Sequence, residues 1–341
     1  MSGPSPASPV VSVVIPCFNL GAYLDEAVAS VRAQTWQDFE IVVVDDGSTD
    51  DDTRVRLDRV TAPRTRVLRL PHRGLAAARN AGIAATTGRY LCALDADDLL
   101  EPTFLEKTVS VLDNDPDTTF VSAWLRAFGA EEWDWRPERC DLVALLKEDT
   151  VLTAALVRRD AVDAVGGYDT AMPAQGDEDW DLWLTLVERG SRGRILREPL
   201  FRYRRRPGSM SRDCWHGRDH LTLAEYRIDK HRDSYRAHLE DVLLGQDDET
   251  AALLRRHDAV ERHIGTELEP AVAARREELA ALGARLASLD GPLPADRVRD
   301  VESALATVSA EVAALRASMS WRVTRPLRGA YGWWLGERSG R

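Results

Sequence analysis

Acidic residues follow apolar, β-branched runs at two points in the first hundred residues. Asp45 and Asp46 follow the run at residues 41–44, and Asp95 and Asp97 follow the run at residues 90–94. Carboxylates gathered in one place repel each other unless a cation or hydrogen-bond donors compensate them. A divalent cation held by the Asp95 and Asp97 pair could also take oxygens from a diphosphate. This spacing therefore indicates chemistry on a phosphate-bearing ligand.

Two other interpretations of these acids are open. Asp97 and Asp98 could simply start the helix that opens at Glu101 and Pro102, because acidic side chains stabilise a helix N-terminus. The stretch DDGSTDD at residues 45–51 could be a calcium loop, but it lacks the glutamate at position 12 of an EF-hand. The second acidic cluster at Asp45 and Asp46 favours a ligand site over the helix-start interpretation.

The elements that must position these acids alternate between strand and helix patterns. Such alternation predicts an α/β fold with a mostly parallel sheet flanked by helices. In such sheets ligands bind beyond the carboxyl ends of the strands, where the acids lie. The first predicted strands are residues 10–15, 41–44, 66–70 and 90–94, and the later ones are 119–125, 151–157 and one or two edge strands over 194–203. Helices are predicted from Glu101, with a core face of Leu105, Val109 and Leu112, and from Asp179 to Glu188.

The composition changes after about residue 240 to Ala, Leu, Arg and Glu, which predicts an α-helical extension. We expect a flexible N-terminus at 1–9, a catalytic domain at 10–240, the extension with a short coiled coil at 241–320, and an aromatic, basic tail at 321–341. The extension carries an a/d seam from Val301 to Met319, for which homo-oligomer formation and folding back on the preceding helix compete. The tail would suit peripheral membrane contact or docking on the catalytic domain.

Charge and hydropathy exclude some function classes. The net charge of −11 and the pI near 5.2 argue against a nucleic-acid partner, which requires a surplus of Lys and Arg. The four cysteines show no disulfide or CxxC spacing. No signal peptide and no run of about 18 apolar residues is present, so we expect a cytoplasmic protein, with the membrane surface as an alternative location.

Five ordered motifs resemble those of the family-two glycosyltransferases. They are SVVIPCFN, EIVVVDDGSTD, RGLAAARNAG, YLCALDADD and GDEDWDLWL, within residues 10–211. The resemblance implies a GT-A (nucleotide-diphospho-sugar transferase) fold and an inverting transfer of a sugar from a nucleotide-sugar donor. It also implies a divalent cation, Mn²⁺ or Mg²⁺, as cofactor.

The resemblance assigns roles on the donor side. Asp46, with Asp45 beside it, would contact the base and ribose, Asp97 would hold the metal, and Asp95 would lie near the ribose and the metal. Arg79 would lie near the nucleotide and diphosphate, unless it is an exposed helix cation. The remaining nucleotide contacts would come from the residues after the first strand, Pro16, Phe18 and Asn19.

On the acceptor side the resemblance places the catalytic base at Asp179, supported by Glu178. Acids in the first turn could instead serve only to stabilise the helix. Asp181, two residues further on, is expected to serve only the helix terminus. Many relatives carry a histidine after the RYR segment, whereas this chain reads RYRRRPGSMS. Arg205 or Arg206 could neutralise phosphate there, or both could be exposed strand cations. Trp133 and Trp135 could stack on an acceptor sugar; Trp180 is a further acceptor candidate, although its helical position favours the core.

These features predict an inverting glycosyltransferase in polysaccharide or glycoconjugate biosynthesis. The favoured donor is a UDP-sugar, and the acceptor is a glycan or lipid-linked glycan hydroxyl. A nucleotidyltransferase is the alternative enzyme, although the glycine- and lysine-rich triphosphate loop of such enzymes is missing. A non-catalytic adaptor assembled through its helical extension is the alternative of another class. Intact Asp46, Asp95, Asp97 and Asp179 speak against that alternative.

Overall fold

The computed structural model describes residues 9–206 and 219–247, with scattered single positions between 251 and 303. The chain divides into two compact units, Met1–Leu244 and Gly245–Arg341, and the elements below belong to the first. The predicted a/d seam, apart from Ser303, and the aromatic, basic tail lie outside the described residues, as do residues 1–8. No helix in the described part of the chain is long and apolar enough to cross a membrane.

Strands and helices alternate through the first unit. The strands are β1 Val11–Cys17, β2 Phe39–Asp45, β3 Thr65–Arg69, β4 Tyr90–Ala93, β5 Leu99–Leu100, β6 Phe120–Gly129, β7 Asp134–Trp135, β8 Leu156–Arg158 and β9 Gly193–Arg205. The helices are α1 Gly21–Arg32, α2 Asp51–Arg59, α3 Leu75–Ala84, α4 Phe104–Asn114, α5 Leu142–Lys147, α6 Arg159–Val165, α7 Glu178–Glu188, α8 Asp219–Lys230 and α9 Arg232–Ala237.

Within the described residues the nine strands form one sheet, in the order β3-β2-β1-β4-β8-β6-β9-β5 with β7 paired to β6. The first four strands in this order are parallel, and β9 is parallel to β6. The short strands β5, β7 and β8 pair antiparallel. The predicted α/β class, with parallel strands flanked by helices, is confirmed.

The β-branched runs of β1 and β2 are buried because helices cover both faces of the sheet. Val13 and Ile15 pack with α1 in one apolar cluster, while Val14 and Val44 pack with α3 in the other. Successive side chains of a strand point to opposite faces, so such a run feeds two cores at once. The same arrangement brings the carboxyl ends of β1, β2 and β4 to one edge.

Two predicted strands differ from the structure. Residues 194–203 were expected at an edge, but β9 lies inside the sheet between β6 and β5. Of residues 151–157 only Leu156 and Val157 enter β8, because Leu152 donates its backbone N–H to the Ser122 hydroxyl at 3.0 Å. The irregular segment from 149 to 155 lies beside the site described below.

Helix α3 approaches the sheet at Gly82. A Cβ at this position would lie 2.3 Å from Val14 Cγ1 and 2.9 Å from Val44 Cγ2. Contacts this short require a shift of the helix or of the two valines, and α3 carries the buried Arg79 of the site. The close approach therefore fixes where α3 lies.

We expect Gly82→Ala to lower the free energy of unfolding by about 1–3 kcal/mol, the usual cost of overpacking a core. In an open helix position the same change would raise stability by about 0.5–1 kcal/mol. Urea denaturation measures the difference. Val14→Ala removes the clashing methyl, so the double variant should lose less than the sum of the single losses. A more stable Gly82→Ala protein would contradict this packing.

Candidate active site

A cavity of about 520 Å³ opens at the carboxyl ends of β1, β2 and β4 and at the start of α7. Its walls carry more acidic groups than basic ones. The acids are Asp46, Asp95, Asp97, Asp98, Asp149, Glu178 and Asp179, and the arginines are Arg79 and Arg206. The acids that follow separate strands in the sequence therefore do converge in one place.

The loop after β2 aims Asp46 into this cavity. Its carboxylate accepts hydrogen bonds from the backbone N–H groups of Arg73 at 2.8 Å and Gly74 at 2.9 Å, and lies 2.9 Å from His72 Nδ1. The His72 ring stacks on Phe18 with 4.2 Å between centroids. Gly47 has φ +73°, and a Cβ there would lie 2.6 Å from His72 N, so the turn requires glycine. One wall of the cavity thus combines two stacked rings with a fixed carboxylate.

Asp45 and Asn19 brace this loop and do not line the cavity. Asp45 Oδ1 accepts the backbone N–H of Ser48 at 2.9 Å. Asn19 Oδ1 accepts the N–H groups of Thr49 at 2.8 Å and Asp50 at 3.2 Å. Both side chains use their acceptors on the backbone, whereas Pro16 and Phe18 do face the cavity.

Arg79 joins two of the converging elements. Its guanidinium donates to Asp95 Oδ1 at 2.8 Å and to Glu178 Oε1 at 3.2 Å, and lies 5.2 Å from the Tyr168 ring centroid. The residue is 1% exposed, so the alternative of an exposed helix cation is wrong. Burial raises the pKa of Glu178 and nearby Asp179 adds to the rise, while Arg79 opposes it. The arginine therefore compensates carboxylates from β4 and α7 together.

Arg204 of β9 and Arg206, directly after the strand, hold the acidic segment that follows β4. Asp97 Oδ2 accepts from Arg206 Nε at 2.8 Å. Asp98 Oδ1 accepts the backbone N–H of Arg204 at 2.7 Å, and Arg204 Nε donates to the Asp97 carbonyl at 2.7 Å. Burial raises the pKa of Asp98 well above its usual range, with Asp97 and Asp95 adding to it. Burial and Asp95 likewise raise the pKa of Asp97, against the effect of Arg206.

Asp179 stands apart from the other acids at the start of α7. Among the described residues Asp177 pairs with Arg227, Glu178 with Arg79, and Asp181 with Lys230 and His231, whereas Asp179 has no ion pair. Its Oδ2 accepts a hydrogen bond from the Thr153 hydroxyl, and its side chain is partly exposed in the cavity. A carboxylate in this state can accept a proton from a ligand.

A second cavity of about 700 Å³ adjoins the first through shared wall residues, which are Asp95, Asp98, Asp149, Thr153 and Tyr203. It is further lined by Trp133, Trp135, Glu131 and Arg205. Trp133 is 38% exposed, with its ring 6.3 Å from that of Tyr203, and Arg205 Nε lies 3.5 Å from Glu131 Oε2. Arg206 faces the first cavity and Arg205 the second.

Trp180 is a core residue, so the alternative of an acceptor contact is wrong for it. It is 5% exposed and its indole N–H donates to the Leu145 carbonyl at 2.6 Å. The i, i+3 spacing of Trp180 and Trp183 in an apolar helix was the sequence signal for this.

The wall residues that the sequence did not single out include His72, Asp149, Thr153 and Tyr203. The basic and glycine residues around His72, directly before GLAAARNAG, offered a signal. Thr153 lies within the predicted strand 151–157 and Asp149 just before it, where the sequence pattern gives no indication of a site.

A family model and curated relatives match part of this chain. Residues 12–168 match the family described as "Glycosyl transferase family 2". The putative glycosyltransferase EpsE of Bacillus subtilis is 28% identical over 209 residues, covering 58% of this chain and 74% of EpsE. In other curated relatives the matched region spans as little as 10% to 23% of their length.

Two solved structures share the fold. S. aureus TarS 1–349 in complex with UDP-GlcNAc has TM-score 0.52 at 18% identity, over 59% of this chain and 60% of that chain. The mannosyltransferase PcManGT from Pyrobaculum calidifontis, in complex with GDP-Man and Mn²⁺, has TM-score 0.50 at 19% identity, over 94% and 87%. The fold is thus that of a GT-A glycosyltransferase. Over residues 12–168 the chain is similar to glycosyl transferase family 2.

The raised pKa of Asp149 predicts how the free energy of unfolding changes with pH. Burial and nearby Asp179 raise its pKa well above the usual range, so the folded state holds a proton that the unfolded chain releases. This contribution to stability is fully present below the unfolded pKa of about 4 and is lost as pH rises through the folded pKa. Asp149→Asn cannot ionise, so we expect it to exceed the original protein in free energy of unfolding by about 1 kcal/mol or more at pH 7.5.

Urea denaturation at pH 7.5 and near pH 4 checks this expectation, because the difference between the two proteins should shrink at the lower pH. Asp160→Asn, at an exposed acid in the first turn of α6, is the control and should not gain stability at pH 7.5. Equal stability of Asp149→Asn and the original protein at both pH values would contradict the prediction.

Proposed function

We propose that this protein is an inverting glycosyltransferase that moves a sugar from a nucleotide-diphosphate donor, with a UDP-sugar favoured, to a hydroxyl of a glycan or lipid-linked glycan. The observation that carries the proposal is Asp179, a carboxylate that lines the first cavity and has no ion pair among the described residues. Its hydrogen-bond partner Thr153 lines both cavities. A base at this place could reach a hydroxyl from one side and a donor sugar from the other.

The first cavity suits a nucleoside diphosphate. Asp46 could accept hydrogen bonds from a uracil N–H or a ribose hydroxyl, because a carboxylate is an acceptor only. Phe18 and His72 offer aromatic faces for the base. That TarS is solved with UDP-GlcNAc and PcManGT with GDP-Man supports a nucleotide-sugar donor for this fold.

The acid excess of the cavity fits a divalent cation, Mn²⁺ or Mg²⁺. Seven acidic side chains and two arginines lie in its walls, and a diphosphate would add further negative charge. No three Asp, Glu, His or Cys side chains within residues 9–206 and 219–247 form a metal-ligand group. Asp97 and Asp95 would therefore hold the ion together with donor phosphates and water, as is usual for Mg²⁺. When bound, the ion would neutralise charge on the leaving diphosphate.

The proposed reaction is one displacement. The acceptor oxygen forms a bond to the anomeric carbon while the bond from that carbon to the diphosphate oxygen breaks. The hydroxyl proton passes to Asp179, and the electron pair leaves with the nucleoside diphosphate. Arg79 and Glu178 hold the start of α7 against Asp95, so the base and the donor side share one rigid support.

The second cavity suits the acceptor. Trp133 and Tyr203 present aromatic faces, on which the apolar face of a sugar ring can stack. Glu131 and Arg205 could bind its hydroxyls. Polysaccharide or glycoconjugate biosynthesis follows from this chemistry as the proposed process. Self-association and membrane contact through the C-terminal residues stay predictions, because those residues lie outside the described ones.

We expect Asp179→Asn to keep the fold and donor binding while turnover falls by about 10² to 10⁴-fold, the usual contribution of a general base. Asparagine keeps the size of the side chain and accepts no proton at neutral pH. The measurement is release of nucleoside diphosphate from the nucleotide sugar that most raises the melting temperature in a screen. Release of pyrophosphate would instead indicate nucleotidyl transfer.

The control must be an acid that serves only a helix terminus. The expectation that Asp181 serves only the helix terminus is wrong, because it is 2% exposed and pairs with Lys230 and His231, so its replacement would disturb the core. Asp160→Asn, in the first turn of α6, is a better control and should leave turnover unchanged. Normal turnover in Asp179→Asn would refute the assignment and make Glu178 the next candidate.

Arg206 and a cation would compete for the Asp97 carboxylate. We therefore expect Arg206→Gln to raise Mn²⁺ affinity by about tenfold, since one charge-assisted hydrogen bond no longer opposes the ion. The same change should lower UDP affinity in excess chelator, because the diphosphate loses a cation. Calorimetry measures both.

Arg205→Gln is the matched control, because Arg205 pairs with Glu131 in the second cavity, and both affinities should stay within about twofold. Unchanged Mn²⁺ affinity in Arg206→Gln would contradict the competition. Equal UDP affinity of the original protein with Mn²⁺ and with chelator would remove the metal from the proposal.

A further inference from the structure

Helices α8 and α9 pack against α7 on side chains that do not line either cavity. The Arg227 guanidinium lies 3.4 Å from the Trp180 ring centroid and pairs with the Asp177 carboxylate. Arg227 is 5% exposed. Asp177 and Trp180 flank Glu178 and Asp179 in the sequence, so one buried cation from α8 contacts the residues on either side of the acidic pair.

Further charged contacts hold the same interface, at which α8 and α9 pack against α7. Lys230 Nζ lies 2.8 Å from Asp181 Oδ2. His231 bonds Asp181 at 3.1 Å and Glu188 at 2.8 Å. Burial lowers the pKa of His231, but the hydrogen bonds to Asp181 and Glu188 outweigh it and raise that pKa. These contacts therefore hold α7 along its whole length, from the first turn to the last.

Arg227 also balances the acids behind the base. Burial raises the pKa values of Asp177 and Asp149, Asp179 adds to both, and Arg227 opposes both. On the cavity side of α7 the corresponding cation is Arg79, which reaches Glu178. The two arginines lie on different sides of the start of α7, and α8 follows the segment that matches the family.

We propose that Arg227 is a positioning residue for the general base: it holds Asp177 and Trp180 beside Asp179 and supplies positive charge behind the acidic cluster. The inference rests on the proposed role of Asp179. Loss of this charge should make protonation of the cluster easier, since nearby cations favour ionised carboxylates. The groups that face Asp179 and share in this balance are Thr153, Glu178, Asp149, Asp177, Arg79, Tyr168 and Asp95.

The experiment compares Arg227→Met and Arg227→Lys in the full-length chain. Methionine retains much of the volume and the contact with Trp180 but removes the charge, whereas lysine keeps the charge and loses the planar fork. The probe is the nucleotide sugar selected by the thermal screen, with water as acceptor. The measurements are kcat as a function of pH, and UDP affinity with Mn²⁺ by calorimetry.

For Arg227→Met we expect kcat to fall about 10-fold to 100-fold, as misplacement of a catalytic group does. The acidic limb of the pH profile should move to higher pH by about half a unit or more. UDP affinity should stay within about twofold, and Arg227→Lys should restore most of the position of the limb. Arg189→Met is the matched control, since this exposed arginine donates to the Ala164 carbonyl and should leave the limb in place.

A wild-type kcat and an unmoved acidic limb in Arg227→Met would overturn the inference. Should that variant fail to fold, Arg227→Met combined with Asp177→Asn leaves no unpaired buried charge, and it should retain the lowered kcat. Recovery of normal kcat in the double variant would equally overturn the positioning role. If Asp179→Asn is inactive while the limb is unmoved in Arg227→Met, this inference alone fails; if Asp179→Asn is active, the proposed base fails.

Discussion

Repulsion between carboxylates at one edge of the sheet is the constraint on which the site depends. The carboxyl ends of parallel strands lie at one edge of a sheet, so the acids that follow β2 and β4 lie close together. The acids at the start of α7 line the same cavity. Arg79 offsets part of that repulsion by bonding Asp95 and Glu178 at once. The Arg79 side chain is fully buried and belongs to α3. The close packing of α3 at Gly82 therefore also fixes the place from which Arg79 bonds the two acids.

Strand β9 offsets the repulsion between carboxylates on the other side of the cavity. Arg204 of the strand and Arg206, which directly follows it, hold Asp97 and Asp98 through a backbone N–H and two side chains. An internal strand gives these contacts more fixed positions than an edge strand would, because β6 and β5 hold it from both sides. The place of β9 in the sheet thus has a direct consequence for the proposed donor site.

Sequence patterns predicted the elements that are locally determined. The β-branched runs of β1 and β2 and the core face of α4 are buried as expected. The convergence of the acids at one edge of the sheet was predicted from their positions directly after parallel strands. Patterns could not predict pairings between distant residues, such as Arg79 with Glu178, which lie 99 positions apart. They also did not predict the irregular segment around Asp149, because its apolar residues have the pattern of a strand. In the structure the backbone N–H of Leu152 donates to the Ser122 hydroxyl.

The start of α7 shows why such pairings matter for function. Four acids crowd this region, and a helix N-terminus stabilises them by only about 0.3–1 kcal/mol each. Cations from two other helices pair with three of these acids: Arg79 of α3 with Glu178, and Arg227 and Lys230 of α8 with Asp177 and Asp181. Each pair removes one acid from competition for a proton or a cation in the cavity. In the described part of the chain, the acid left without an ion pair is Asp179, beside the Thr153 hydroxyl. Selection of one carboxylate among four is therefore a property of the surrounding cations, since the acids themselves differ little in chemistry.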